Sequence, residues 1–285
     1  MQLYVLSRAR AERMHLPFIL NADNVPFTLV VDTKEQAQEA KRLLPKPDVL
    51  VTHAKDIVEA RNFITRYHLR THGKKYYCGM DDNIRFFTMV MSRFRDAKYG
   101  GKNALPTHSN EYYPLVAKNW SWRHVFNQQC TPKQYMRELG NLCDKMVTEG
   151  IRYGGVATME NPFFRGTRYS YHRFVKSKVF IMDPTAGLEW KHTMCHDSHM
   201  TALCIARYGK VLVNNFMFYK ARWYERGGLG SREAREAAGL LDQLELCVKE
   251  FPGLVALASG KNSALRIMRV TDASINRWRE EHLYL

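Results

Sequence analysis

Long apolar runs are missing from this chain. None of its hydrophobic stretches approaches the roughly 20 residues that cross a bilayer, so no membrane partner is expected. Metal-type cysteine spacing is missing too. The six cysteines (Cys78, Cys130, Cys143, Cys195, Cys204 and Cys247) are scattered, and no two stand in C-x-x-C. That scatter argues against a zinc site or a disulfide framework. The stretch Met1-Gln2-Leu3-Tyr4-Val5-Leu6-Ser7-Arg8 lacks the long apolar core and cleavage site of a signal peptide, and a cytoplasmic protein is expected. Internal repeats and low-complexity tracts are absent. So are G-x-G-x-x-G and G-x-x-x-x-G-K-S/T, which weighs against dinucleotide-binding and P-loop chemistry. Acids are in the minority. The chain carries 28 Asp and Glu against 43 Lys and Arg, a formal net charge of +15 with a pI of about 9.6. Such an excess favours a polyanionic partner, with nucleic acid ahead of an acidic membrane.

What is present is an ordinary globular composition, 45% apolar and 25% charged over 285 residues. That length allows one large domain, or a core domain with an appendage. Leu3 to Leu6 reads as a strand running into the basic loop Ser7-Arg8-Ala9-Arg10. Phe27-Thr28-Leu29-Val30-Val31-Asp32 reads as a buried parallel strand that ends on an acid. Residues 33–44 have helical composition, with Thr33 as N-cap and Gln36 in the capping-box position. Val49-Leu50-Val51-Thr52 is a third strand, and residues 56–67 form a helix with Ile57, Ala60, Phe63 and Ile64 on one face. Strands alternating with helices point to a parallel sheet covered on both faces.

Further along, residues 84–95 are expected to be helical, as are 132–149 behind a Thr131 cap and 195–208 before Gly209. Strands are expected at 154–158, 174–182 and 211–215. Past Tyr224 a glycine-rich basic loop leads to one long helix over 233–251 and a final small strand-and-helix unit.

The stretch most loaded with chemistry is Lys75-Tyr76-Tyr77-Cys78-Gly79-Met80-Asp81-Asp82-Asn83-Ile84. It reads as an apolar, aromatic strand running into clustered acids, and strand ends in open α/β sheets are where ligands sit. Two carboxylates and an amide there can hold a divalent cation through oxygen ligands. Asp and Asn also suit a plain turn, because they bond their own backbone. Arg8, Arg10, Asp32, Arg61 and Asn62 fall where this topology can line the same crevice. Arg can hold phosphate or stack on a base. Asp32 can accept from a ribose or a base N–H. Each Arg taken alone is equally a solvated surface charge.

The order of strand with Ser-Arg, strand with Asp, helix with Arg-Asn, then apolar strand with Met-Asp-Asp-Asn resembles the nucleotide-sugar half of glycosyltransferases of the A-type fold. Their Asp-x-Asp motif binds the donor diphosphate through manganese or magnesium. Here the slot is Asp81-Asp82-Asn83, and the last acid is an Asn. The resemblance implies a Rossmann-like mixed α/β sheet flanked by helices over residues 1–224, with a nucleotide-sugar half to about residue 100 and an acceptor half beyond. A C-terminal helical and basic appendage would follow over 225–285. It implies a nucleotide diphosphate sugar as donor, Mn2+ or Mg2+ held by Asp81 and Asn83, Asp82 on the donor ribose or sugar, and Arg8, Asp32 and Arg61 on the nucleotide.

Cys195-His196-Asp197-Ser198-His199 resembles the helix that supplies the base in inverting enzymes of this fold. Only Asp197 matches the central acid. The resemblance gives it the proton of the acceptor hydroxyl, and gives His199 a third place on the metal or a contact with the acceptor. The alternative for Asp197 is a carboxylate complementing a helix N-terminus. The tail, with Gly227-Gly228-Leu229-Gly230-Ser231-Arg232, a long helix and then Phe251-Pro252-Gly253-Leu254-Val255, resembles that of phage TET-associated glycosyltransferases, which modify hydroxymethylated pyrimidines in DNA. The implied acceptor is hydroxymethylated DNA, double-stranded rather than single-stranded, in the host cytoplasm if a phage encodes the chain. Trp120 and Trp122 beside Arg123, and Arg165 and Arg168 among aromatics, interleave rings with guanidinium groups. Rings stack on bases while Arg contacts phosphates. Arg226 and Arg232 belong to a second basic region. A non-DNA acceptor, a basic nucleic-acid-binding protein without catalysis, and a metal-dependent nuclease are the other expectations.

Overall fold

The structure is a computed structural model and describes residues 1–7, 14–45, 47–90, 127–157, 168–221, 232–257, 265–267 and 272–283. In chain order it runs β1 (Gln2–Leu6), α1 (Leu16–Ala22), β2 (Thr28–Val31), α2 (Lys34–Leu43), β3 (Asp48–Val51), α3 (Ile57–His72) and β4 (Tyr77–Asp81). Then come β5 (Ile84–Val90), β6 (Asn127–Cys130), α4 (Pro132–Thr148), β7 (Tyr153–Val156), β8 (Tyr169–Ser170) and β9 (Val179–Met182). The rest is α5 (His196–Tyr208), β10 (Leu212–Asn214), β11 (Met217–Ala221), α6 (Arg232–Ala237), α7 (Leu240–Glu250), β12 (Val255–Leu257), β13 (Leu265–Ile267) and α8 (Asp272–Leu283). No helix among the described residues is long and apolar enough to cross a membrane.

The main sheet has the order β3-β2-β1-β4-β9-β7-β10-β8. Strands β1 to β4 pair in parallel, as their alternation with helices requires. Strand β9 is antiparallel to both its neighbours, β4 and β7. The sheet is therefore mixed rather than wholly parallel. Side chains alternate across it with the strand period of two. Leu3 and Val5 enter one apolar cluster with α1, α2 and α4, while Tyr4 and Leu6 enter the other with α3 and α5. Helices thus cover both faces. The C-terminal segment shares the second of these cores: Leu244, Cys247, Phe251, Leu254 and Ile275 lie in the same cluster as α5.

Local sequence sets several element ends. Thr33 Oγ1 accepts from Gln36 N at 3.3 Å, and Gln36 Oε1 accepts from Asp32 N, one residue before the cap. The full reciprocal box forms at α4, between Thr131 and Gln134. Gly209 closes α5 in the left-handed conformation with φ 81°, where a side chain would be strained.

Three expectations are corrected. The strand expected over 174–182 begins only at Val179. Residues Ile84–Val90 form β5, not a helix. Their aromatic and β-branched side chains suit a strand, and pairing with β11 and β6 in a separate sheet fixes the choice. The single long helix expected over 233–251 is two helices, because Gly239 breaks it with φ 81°.

Close packing at β7 leaves no room for a side chain. A Cβ at Gly155 would stand 2.6 Å from Val179 O and 2.7 Å from Val175 Cγ1, whereas one at Gly140 on α4 would meet nothing within 4 Å. Gly155→Ala is expected to cost about 1–3 kcal/mol by overpacking. Gly140→Ala is expected to gain roughly 0.5–1 kcal/mol from helix propensity. Urea midpoints of the two variants check the pair, and an unchanged midpoint for Gly155→Ala would contradict the packing described.

Candidate functional site

The main sheet changes direction at β1. The chain moves outward from β1 to β2 and β3, then returns to place β4 on the other side of β1. Ligands in open α/β sheets sit outside the carboxyl ends of strands at such a switch. At this point the register sets Leu6 against Asp81, so Ser7 and the acidic turn share one edge. Because β9 is antiparallel, its start lies beside the end of β4, and Asp81 N donates to Lys178 O at 3.1 Å. The segment Lys176-Ser177-Lys178 therefore enters the crevice.

Asp81 lies between two cations. Arg61 Nη2 donates to its Oδ1 at 3.2 Å, and Lys178 Nζ is 3.3 Å from its Oδ2. The same ammonium donates to Asn83 Oδ1 at 2.8 Å. Burial works to raise the Asp81 carboxyl, but Lys178 and Arg61 outweigh it and hold the group below the usual carboxylate range.

Arg61, on α3, is 1% exposed. It donates to Ser177 O at 3.1 Å, and its guanidinium lies 4.7 Å from the Trp190 ring centre and 5.5 Å from that of Phe180. Its Nε and Nη1 make no hydrogen bond among the described residues. Asn62 pins the covering ring, exchanging both its amide bonds with the Trp190 backbone at 3.0 and 2.8 Å.

Asp82 faces away from this pair. Its Oδ2 accepts from Ser7 Oγ at 2.7 Å, and its carbonyl accepts from His15 N and Leu16 N. It thereby ties together both ends of the segment that carries Arg8 and Arg10. Asp32 stands on the same carboxyl edge, one strand beyond β1, and Thr52 Oγ1 donates to its Oδ1 at 3.3 Å.

The first turn of α5 closes the other side of the Lys176–Lys178 segment. Asp197 Oδ2 is 3.2 Å from Lys176 Nζ, and its Oδ1 accepts from Ser198 N at 2.8 Å. Burial alone would raise this carboxyl. Lys176 and His196 overcome it and hold the group at about 2. His196 Nδ1 donates to Thr193 O at 2.8 Å, which leaves Nε2 to accept from Ser177 Oγ at 3.0 Å. Burial and the neighbouring Arg61 push His196 down to about 4, so its ring is neutral. One tripeptide thus joins two carboxylates, with Lys178 on Asp81 and Lys176 on Asp197.

His199 lies elsewhere. Its Nε2 is 3.0 Å from Glu250 Oε2 at the end of α7, where His192 also approaches at 3.5 Å. Ligand atoms of these three residues lie within 4.8 Å of one another. His199 bonds neither Asp81 nor Asn83 among the described residues. Of the residues expected to hold a divalent ion, the structure brings together the oxygens of Asp81 and Asn83, one charge between them. They already share an ammonium, with a guanidinium on the far side. This donor set does not fit a Mn2+ or Mg2+ ion, which draws several oxygens and little competing positive charge.

Arg168 is paired with Glu138 at 2.9 Å and lies over the Tyr169 ring. Arg8, Trp120, Trp122, Arg165 and Arg226 lie outside the described residues, and of Arg232 only the backbone, at the start of α6, is described. Lys176, Ser177, Lys178 and Trp190 are the site residues that sequence reasoning missed. The two lysines at alternate positions ahead of an apolar strand were the available signal.

No family model matches the chain, and no curated protein matches it.

The neutral His196 makes stability depend on pH. In the unfolded chain it takes up a proton near its usual 6.5, while in the fold it does so only near 4. Between those values the unfolded state holds the extra proton, so stability falls as pH is lowered from about 6.5 to about 4. Urea midpoints at pH 7 and pH 5 measure the drop. His196→Asn is expected to shrink it by on the order of 1–2 kcal/mol, and an unchanged drop would remove His196 from this role.

Proposed function

We propose that this chain is a glycosyltransferase that moves a sugar from a nucleoside diphosphate to a hydroxyl, with the hydroxymethyl group of a modified pyrimidine in DNA as acceptor. The observation that carries the reading is the tripeptide Lys176-Ser177-Lys178, which joins Asp81 and Asp197 at the switch-point edge. Among the described residues Arg61, Lys176 and Lys178 pair with two carboxylates, Asp81 and Asp197, an excess of cations that suits an anion. A diphosphate is the anion that leaves when a nucleotide sugar reacts.

In this reaction the acceptor oxygen forms a bond to the sugar's anomeric carbon. The bond from that carbon to the phosphate oxygen breaks, and its electron pair stays on the diphosphate. Arg61 and Lys178 stabilise the charge that develops there. The hydroxyl proton passes to the Asp197 carboxylate. A carboxyl held at about 2 is a weak base while Lys176 is paired with it. A phosphate that draws Lys176 away strengthens it, coupling donor binding to proton transfer. Asp32, on the same edge, and the Arg8 segment that Asp82 ties down at both ends are the groups for the nucleoside.

DNA is favoured as acceptor by the net charge of +15 and by the Arg-aromatic stretches around Trp120, Trp122 and Arg165. The same charge supports a second reading, a basic nucleic-acid-binding protein without catalysis. A hydroxyl on another acceptor is the third.

Mass spectrometry of nucleosides separates these readings. Hydroxymethylated and unmodified DNA are incubated with the protein and a panel of nucleotide sugars, with and without manganese. A pentose or hexose mass added only to the hydroxymethylated DNA is the expected result. Asp197→Ala is expected to slow its formation by at least about 100-fold, the usual contribution of a general base, without loss of DNA binding. Tight DNA binding with no product from any donor would support the binding protein. Donor hydrolysis without modified DNA would discard the DNA acceptor.

A further inference from the structure

The acidic turn of a nucleotide-sugar enzyme is expected to reach its donor through a divalent metal, but here a lysine stands at that position. We propose that Lys178 is the resident cation of the diphosphate site, and that the chain binds its nucleoside diphosphate without a divalent metal. The proposal rests on the transferase reading and adds to it the means by which the phosphates are held.

Three observations lead to it. The first is placement. Lys178 immediately precedes β9, and the antiparallel pairing of β9 with β4 sets its backbone against Asp81, whose N–H donates to Lys178 O. Its ammonium is then delivered by the sheet itself, and its side chain is 13% exposed. The second is the ligand set. The ammonium is 2.8 Å from Asn83 Oδ1 and 3.3 Å from Asp81 Oδ2, the two oxygens a metal would need. An amide oxygen brings no charge, which weakens a divalent ion's hold but still lets it accept an ammonium N–H. The remaining candidates are engaged elsewhere: Asp82 Oδ2 with Ser7, and His199 with Glu250. The third is charge. Asp81 faces both Lys178 and Arg61, so among the described residues these three groups carry one positive charge more than negative. A divalent cation would enter against that excess, whereas a diphosphate enters with it. Lysine serves phosphate as a point charge in other nucleotide sites for the same reason.

Isothermal titration of the full-length protein with UDP, GDP, ADP and CDP, in EDTA and in Mn2+, tests this. At least one of them is expected to bind in EDTA with a Kd within about threefold of its value in Mn2+. Lys178→Met keeps the stem length and removes the charge, and is expected to weaken that binding at least tenfold in EDTA. Mn2+ is expected to restore part of the loss, since the ion can then occupy the place between Asp81 and Asn83. Melting temperature and circular dichroism establish that the variant is folded, and the wild-type titration stands without any variant. Binding by the wild-type protein only with Mn2+ would overturn the proposal and leave the transferase reading in place. Undiminished binding by folded Lys178→Met in EDTA would do the same. Failure of every nucleoside diphosphate under both conditions would overturn both readings together.

Discussion

The charge contact between Asp81 and Lys178 depends on one feature of the sheet, the reversed direction of β9, while Arg61 reaches the same carboxylate from α3. Were β9 parallel to β4, its start would lie at the opposite edge, and neither lysine of the Lys176–Lys178 segment could reach a carboxylate. The contact is also the most constrained electrostatic feature of the site. Arg61 is almost wholly buried, under a Trp190 ring that Asn62 holds by both its amide bonds. Removing one member of a buried charge pair leaves the other uncompensated, which costs far more than the pair contributes. Asp81, Arg61 and Lys178 are therefore tied to one another before any ligand arrives.

Around this centre the chain brings in elements from three distant stretches. Asp82 binds Ser7 on one side and His15 and Leu16 on the other, so the segment with Arg8 and Arg10 begins and ends at the acidic turn. The first turn of α5 meets the same tripeptide from the far side through His196 and Asp197. Two residues after Asp197, His199 ties α5 to the end of α7 through Glu250, and α7 and α8 place Leu244, Cys247 and Ile275 in the core beneath α5. The C-terminal segment is in this way packed against the helix that positions Asp197.

Much of this was readable in the residues. The continuous apolar strands β1, β2 and β4, the Thr33 and Thr131 caps and the Gly209 stop all follow from local chemistry. So do the placement of Asp81 and Asn83 at a strand end and of Asp197 in a helix first turn. What was not readable depends on long-range pairing. Ile84–Val90 is apolar enough for either helix or strand, and β11, more than a hundred residues away, decides it. The direction of β9 has no local code, so Lys176 and Lys178 read as ordinary basic residues within a strand expected over 174–182. Helical spacing put His196, Asp197 and His199 near one another without saying what packs over each, and α7 claims His199. A Gly in a basic, amphipathic stretch such as 233–251 is tolerated in many helices, and only its left-handed backbone shows the break at Gly239.

The most direct test of the account is a crystal structure of the protein with a bound nucleoside diphosphate. The account predicts the diphosphate outside the carboxyl ends of β1 and β4, with a phosphoryl oxygen about 3 Å from Lys178 Nζ. A nucleotide bound away from that edge would contradict it. So would a diphosphate at that edge held by a metal ion on Asp81 and Asn83, with Lys178 displaced.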